Sequence, residues 1–186
     1  GGMLQVIIQG RGGQGAQTAG NLLAAAFFAQ GLQVQCFASY GGARRGTPGS
    51  SFLRARERPI RVRCDIERAD AILCFDATLL EGRLLAAADE RTLIVVNSGR
   101  SRDDLARALP GYRFVPVDAI AIARRTGLGR IVNSALLGAF ACAVGQPPLA
   151  ALQGTIRERS PRLTDENLAA CAAGYAAAQA LAADDG

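Results

Sequence analysis

Two hydrophobic periods alternate along this chain, and their order predicts an α/β protein. Leu4–Gln9 is a short apolar run rich in β-branched residues and reads as a strand. Gly10–Gly15 follows as a loop, and Gln17–Gln30 is an alanine- and leucine-rich helix that Gly31 stops. Val34–Ala38 is a second strand, and Ser39–Ser51 a long glycine-rich loop. Ser51–Arg56 and Ile60–Cys64 flank Glu57-Arg58-Pro59 and predict a small hairpin. The alternation then continues: strand Ala71–Phe75, helix Thr78–Ala88, strand Thr92–Asn97, helix Asp103–Leu109, strand Tyr112–Val117, helix Ala119–Arg125. Helical spacing takes over in Asn133–Val144, Leu149–Arg159 and Thr164–Ala183. Thr164 offers an N-cap, with Asp165 and Glu166 favouring the helix dipole behind it. The last helix carries alanine almost all round, which fits either a helix that lies against something, such as another subunit, or a merely alanine-rich surface helix. No internal repeat or interdomain linker is visible, so Met3 to Gly186 reads as a single domain, and Gly1-Gly2 as an added leader before a native Met3.

Composition narrows this picture. With 186 residues and 49% apolar side chains the chain can bury a core, and 20% charge is too little for a disordered one. No long uncharged apolar run or signal-peptide pattern appears, which predicts a cytoplasmic protein with no membrane partner. The five cysteines are odd in number, and no two are spaced C-x-x-C. They read as core thiols in a reducing compartment, and the spacing argues against a metal or iron–sulfur cluster held by this chain alone. The net charge is +5, and every basic residue is arginine. The commonest general acid/base, histidine, is missing, as is any lysine for a Schiff base. The arginines are dispersed with few aromatic residues between them, so nucleic acid is not the expected partner.

The motif with chemistry is Gly10-Arg11-Gly12-Gly13-Gln14-Gly15, a G-x-G-x-x-G turn between a strand and a helix. Its glycines allow a tight turn and close approach, and the following helix offers free N–H groups to an anion. An ordinary dinucleotide site also needs an acid about twenty residues on. No Asp or Glu occurs before Glu57, so NAD in that mode is disfavoured. NADP stays open, because Arg44 and Arg45 follow the second strand and could hold a 2′-phosphate. A plain packing turn also stays open. The loop beginning at Tyr40 with Arg44-Arg45 is expected beside the glycine turn at the carboxyl edge of a doubly wound sheet. Asp76 and Asp118 end strands, and Asn133-Ser134 open an apolar helix. Each is a candidate polar ligand at that edge or a simple cap. No paired nucleophile and base or metal-ligand cluster is apparent, so no catalytic residue is assigned.

Four segments stand in order: Gly10-Arg-Gly-Gly-Gln-Gly15, Tyr40-Gly-Gly-Ala-Arg-Arg-Gly-Thr-Pro48, Asp76-Ala-Thr-Leu-Leu80 and Ile131-Val-Asn-Ser-Ala-Leu-Leu-Gly-Ala-Phe140. Together they resemble the gamma subunit of pyruvate:ferredoxin oxidoreductase and its 2-oxoacid relatives, from about Leu4 to the Thr164 helix. The resemblance implies a three-layer α/β/α domain with a mostly parallel sheet and C-terminal helices. It implies a complex that decarboxylates a 2-oxoacid on thiamine diphosphate, passes electrons through iron–sulfur clusters towards ferredoxin, and forms an acyl-CoA. Thiamine diphosphate, its magnesium and the [4Fe-4S] clusters would belong to the thiamine-binding and cluster-binding sister subunits. This subunit type is associated with coenzyme A, whose phosphates suit the glycine loop and Arg44-Arg45. Pyruvate-type members tend to carry proline and glutamate before the paired arginines, where Gly42-Ala43 stand here. The paired arginines and Pro48 lean towards pyruvate or an aryl glyoxylate. Beside an accessory subunit, a stand-alone NADP-binding oxidoreductase and a purely structural spacer are the readings to separate.

Overall fold

In a computed structural model that describes residues 2–40 and 48–185, the predicted alternation closes into one six-stranded sheet. The strands are β1 (Leu4–Arg11), β2 (Gln33–Tyr40), β3 (Pro48–Arg56), β4 (Ala71–Cys74), β5 (Leu93–Asn97) and β6 (Arg113–Val117), in the order β2-β3-β1-β4-β5-β6. β1, β4, β5 and β6 run parallel, and β3 is antiparallel to both β1 and β2. The helices are α1 (Ala16–Ala29), α2 (Gly82–Ala86), α3 (Arg102–Ala108), α4 (Ala119–Arg125), α5 (Asn133–Val144), α6 (Leu149–Arg159) and α7 (Thr164–Ala183).

The strands read as unbroken apolar runs because both faces of the sheet are covered. On one face Val6, Ile8, Leu53, Leu73, Val95 and Val117 pack under α1 and the C-terminal helices. On the other, Ile7, Phe52, Ile72, Ile94 and Phe114 meet Leu84 of α2, Leu105 of α3 and Ile66. Period-2 alternation in each strand therefore sorts side chains into two separate cores, which makes the three layers.

The hairpin is where structure and expectation part. Ser51–Arg56 belongs to β3, which pairs with β2 and β1, whereas Ile60–Cys64 forms no strand. The reason is visible on β3. Arg54 is 1% exposed and faces Gln5 and Gln35, its register partners on the two neighbouring strands. Its Nε donates to Gln5 Oε1 at 2.9 Å, Nη1 donates to Gln35 Oε1 at 2.7 Å, and the guanidinium lies over the Phe37 ring. Two flanking strands satisfy a buried arginine that a single hairpin partner would leave half-desolvated and unmet. Segment 60–64 crosses that face, accepting a bond from Gln35 at the Val62 carbonyl.

Two helices also differ. In place of one helix over Thr78–Ala88 there is a 3-10 turn, Ala77–Leu79, followed by the short α2, whose first residue, Gly82, has φ +53. Thr164 does not cap α7. Leu163 holds the cap position at φ 55, and the Thr164 hydroxyl donates to Ser160 O at 2.6 Å. Asp165 and Glu166 do occupy the first turn. The alanine-rich α7 lies chiefly against α5 of its own chain, where Asn167, Cys171 and Gly174 meet it. α5 is in turn buried all round, between the sheet and α7.

Candidate functional site

The expected edge exists, with β3 inserted between the two loops. Tyr40 of β2 pairs with Gly49 of β3, and Gly49 pairs with Gly10 of β1; Pro48 faces Arg11. Both ends of the Tyr40–Pro48 connection are thus anchored on the row where the glycine loop begins. Arg44 and Arg45 lie outside the described residues.

Within the loop, Gln14 N–H donates to Arg11 O at 3.1 Å, closing a turn over Gly12 and Gly13. Gly13 sits at φ +87 and Gly15 at φ +97, a region that side chains other than glycine rarely adopt. Gly10 answers a different need: a Cβ there would stand 3.1 Å from the Cβ atoms of both Ala16 and Phe75. The turn lets β1 pass under the start of α1. α1 then begins at Gly15 with no side-chain cap and no acid in its first turn. The first N–H groups of a helix have no acceptor within the helix, and those of α1, with its dipole, face the edge.

Asn133 stands beside that helix start. A Cβ on Gly15 would be 4.0 Å from the Asn133 Cβ. Neither Asn133 nor Ser134 caps α5, contrary to the capping alternative; Val132 occupies the cap position and contributes no side-chain bond. Ser134 turns inward and donates to Asn167 Oδ1 at 2.7 Å. Asn133 Oδ1 is buried and has no hydrogen-bond partner among the described residues. Two helix starts without side-chain caps therefore meet at this point, and the buried Asn133 Oδ1 belongs to the first residue of the second.

Side chains stitch the strand ends together. Asp76, after β4, caps the 3-10 turn: its Oδ1 accepts from the Thr78 N–H at 3.0 Å and from the Thr78 hydroxyl at 2.6 Å. Its Oδ2 accepts from Gln14 Nε2 and from Arg11 Nε, each at 3.3 Å. Arg11 Nη2 also donates to the Thr78 hydroxyl oxygen at 3.0 Å, and Gln14 Oε1 accepts from the Arg11 N–H at 2.6 Å. The Thr78 hydroxyl bond leads the effects that hold the Asp76 carboxyl below its usual value, with the Thr78 N–H, Gln14 and Arg11 adding to it against burial. Arg11 and Gln14 were expected as ligands, and their mapped bonds run to Asp76 and along the loop itself. Asn97, at the end of β5, was not singled out by its sequence. It donates to Phe75 O at 3.2 Å and accepts from the Ala119 N–H at 3.2 Å, joining β4 to α4. Asp118 is a cap, accepting from the Ala121 N–H at 3.0 Å.

Next to this edge, on the α2 face of the sheet, an open groove of about 510 Å³ has Ile7, Phe52 and Leu84 in its floor. Gln9 and Ser50 stand at the end nearer the glycine loop, and Asp65, Glu67 and Arg83 also line it.

Comparison with known proteins places this geometry. The pattern of the family described as pyruvate ferredoxin/flavodoxin oxidoreductase matches residues 5–177. A pyruvate/ketoisovalerate oxidoreductases common subunit gamma from Pyrococcus abyssi is 36% identical over 159 residues, covering 84% of this chain and 86% of the relative. The crystal structure of pyruvate oxidoreductase subunit PORC from Thermotoga maritima superposes with a TM-score of 0.81 at 29% identity, over 93% of this chain and 95% of that one. The 2-oxoglutarate:ferredoxin oxidoreductase of Magnetococcus marinus, solved with 2-oxoglutarate, coenzyme A and succinyl-CoA bound, shares the fold. Its TM-score is 0.80 at 20% identity, over 96% of this chain and 31% of that much longer one. A family match along nearly the whole chain, with a gamma subunit related over most of both lengths, is specific evidence: the chain belongs to the pyruvate ferredoxin/flavodoxin oxidoreductase family, as a gamma-type subunit.

Proposed function

We propose that this chain, acting as one gamma-type unit, serves a cytoplasmic 2-oxoacid:ferredoxin oxidoreductase that converts a 2-oxoacid into an acyl-CoA. Pyruvate or an aryl glyoxylate is the substrate favoured by the paired arginines. Thiamine diphosphate, magnesium and the [4Fe-4S] clusters act on sister subunits, which pass electrons to ferredoxin. This chain contributes the CoA side and an interface.

The observation that carries the reading is the meeting of two uncapped helix starts, at Gly15 and Asn133, on the edge that anchors Tyr40–Pro48. Helix N-termini whose dipoles favour an anion, glycines without side chains and a connection that carries Arg44 and Arg45 in its sequence suit phosphate oxygens. The neighbouring groove of about 510 Å³ falls within the size of small-ligand clefts, and its apolar floor suits the less polar part of such a ligand. A nicotinamide dinucleotide is less well served. β2 ends at Tyr40 without an acid, and Glu57 follows β3 at the opposite end of the sheet.

Steady-state kinetics of the complex assembled with its sister subunits test this. Arg44→Ala and Arg45→Ala are each expected to raise the KM for CoA about tenfold, the scale of one lost charge-assisted bond, and to leave the KM for the 2-oxoacid unchanged. An unchanged CoA KM in both variants would favour a structural spacer. Tight NADPH binding that both variants abolish would favour a nicotinamide enzyme.

A further inference from the structure

We propose that Asp76 is a positioning residue: from across the sheet edge it holds the Gly10–Gly15 loop in the shape that receives an anionic ligand. The proposal rests on the reading that this loop faces CoA.

A helix cap alone does not account for the arrangement. Capping the three-residue turn Ala77–Leu79 needs one acceptor, and Oδ1 supplies it through the Thr78 N–H. The second oxygen, Oδ2, is turned towards a loop more than sixty positions earlier in the chain, where Gln14 Nε2 and Arg11 Nε both reach it at 3.3 Å. Those two residues bracket Gly12 and Gly13, which have no side chains with which to fix themselves. Gln14 completes the clasp by folding its Oε1 onto the Arg11 N–H at 2.6 Å. The loop thus has a tether at each end of its glycine pair, and both tethers end on one carboxylate.

The chemistry follows from this. A glycine pair is costly to order, so a ligand that had to organise it on binding would bind less tightly. A loop already held by Asp76 presents its N–H groups in place. The carboxylate also sets the direction of Arg11. With Nε on Asp76 and Nη2 on Thr78, the guanidinium braces the flank of the loop. Asp76 therefore acts on the ligand through Gln14 and Arg11, without touching it.

The test uses the assembled complex and two readouts: hydrogen exchange at residues 12–16 without CoA, and steady-state kinetics. Asp76→Asn removes the charge and places an amide against the Gln14 and Arg11 donors. Thr78→Val keeps the carboxylate but removes its shortest bond, and carries both readouts if the first variant fails to assemble. Faster exchange in the loop is expected, with a CoA KM raised about tenfold for Asp76→Asn, the scale on which removing a positioning partner acts. The 2-oxoacid KM and the kcat at saturating CoA should not move, which separates positioning from general loss of structure. Unchanged loop exchange overturns the clasp. Faster exchange with an unchanged CoA KM overturns the positioning role if Arg44→Ala still raises that KM. If Arg44→Ala leaves it unchanged too, the CoA reading has failed, and the faster exchange still supports Asp76 as the holder of the loop.

Discussion

Asp76 gathers four donor contacts onto one carboxylate whose side chain is 22% exposed. Those contacts favour the charged form and hold its pKa below the ordinary carboxylate value. A group depressed in the folded state adds stability that is complete above the unfolded pKa and is lost as pH falls through the folded one. Wild type should therefore melt above Asp76→Asn by a constant margin near neutral pH. That margin should shrink as pH drops below about 4, where unfolded aspartate begins to protonate. Melting curves from pH 7 to the acid limit check this; a margin that grows on acidification contradicts it. At this scale the sequence was partly legible. The glycines of the turn announced themselves, and Asp76 and Asn133 were visible as polar residues at element boundaries. That Gln14 is a clasp and that Asn97 ties β4 to α4 was not legible, because both roles depend on partners far away in the chain. The cysteines read correctly as small core residues in part: Cys74 and Cys171 are buried, and burial pushes their thiols up to about 11 and about 12, while Cys64 is exposed.

Helices α5 and α7 approach each other backbone to backbone. A Cβ on Gly138 would lie 1.9 Å from the Cys171 carbonyl oxygen, and one on Gly174 would lie 1.9 Å from that of Ala135. Neither glycine has a positive φ, so close approach, and not backbone conformation, demands them. Gly138→Ala and Gly174→Ala should each destabilise the chain by about 3 kcal/mol, the upper end of overpacking costs, since backbone and not a flexible side chain must yield. Denaturant unfolding measures it, and a loss below about 1 kcal/mol would show that the helices can separate freely. The alanine-rich character of α7 was a correct signal that it packs, but the partner is an internal helix, and helical spacing cannot name a partner. Strand and helix order was legible because each element carries its own period. The antiparallel placement of β3 was not, because its only marker is Arg54, and a buried arginine looks in sequence like a surface one. Its sense comes from Gln5 and Gln35, which register alone brings beside it.

Across the whole molecule, one end of the sheet concentrates the features that a ligand would use. The glycine turn, both anchors of the basic connection and the starts of α1 and α5 share that end. Among the described residues no helix is long and apolar enough to cross a membrane. The net charge of +5 comes entirely from arginine over acid, so an anionic partner is favoured over the surface as a whole and most strongly where two helix dipoles add to it. Family membership was legible from four separated motifs; of those among the described residues, Gly10–Gly15 and Asp76–Leu80 lie at the carboxyl edge and Ile131–Phe140 runs into the buried α5, where spacing and residue type are both constrained. The central claim is that this edge receives CoA. Hydrogen exchange of the assembled complex with and without CoA tests it most directly. Protection is predicted at residues 12–19 and 133–136, with the sheet below unchanged; protection confined to the sister subunits, with these amides unaffected, would contradict it.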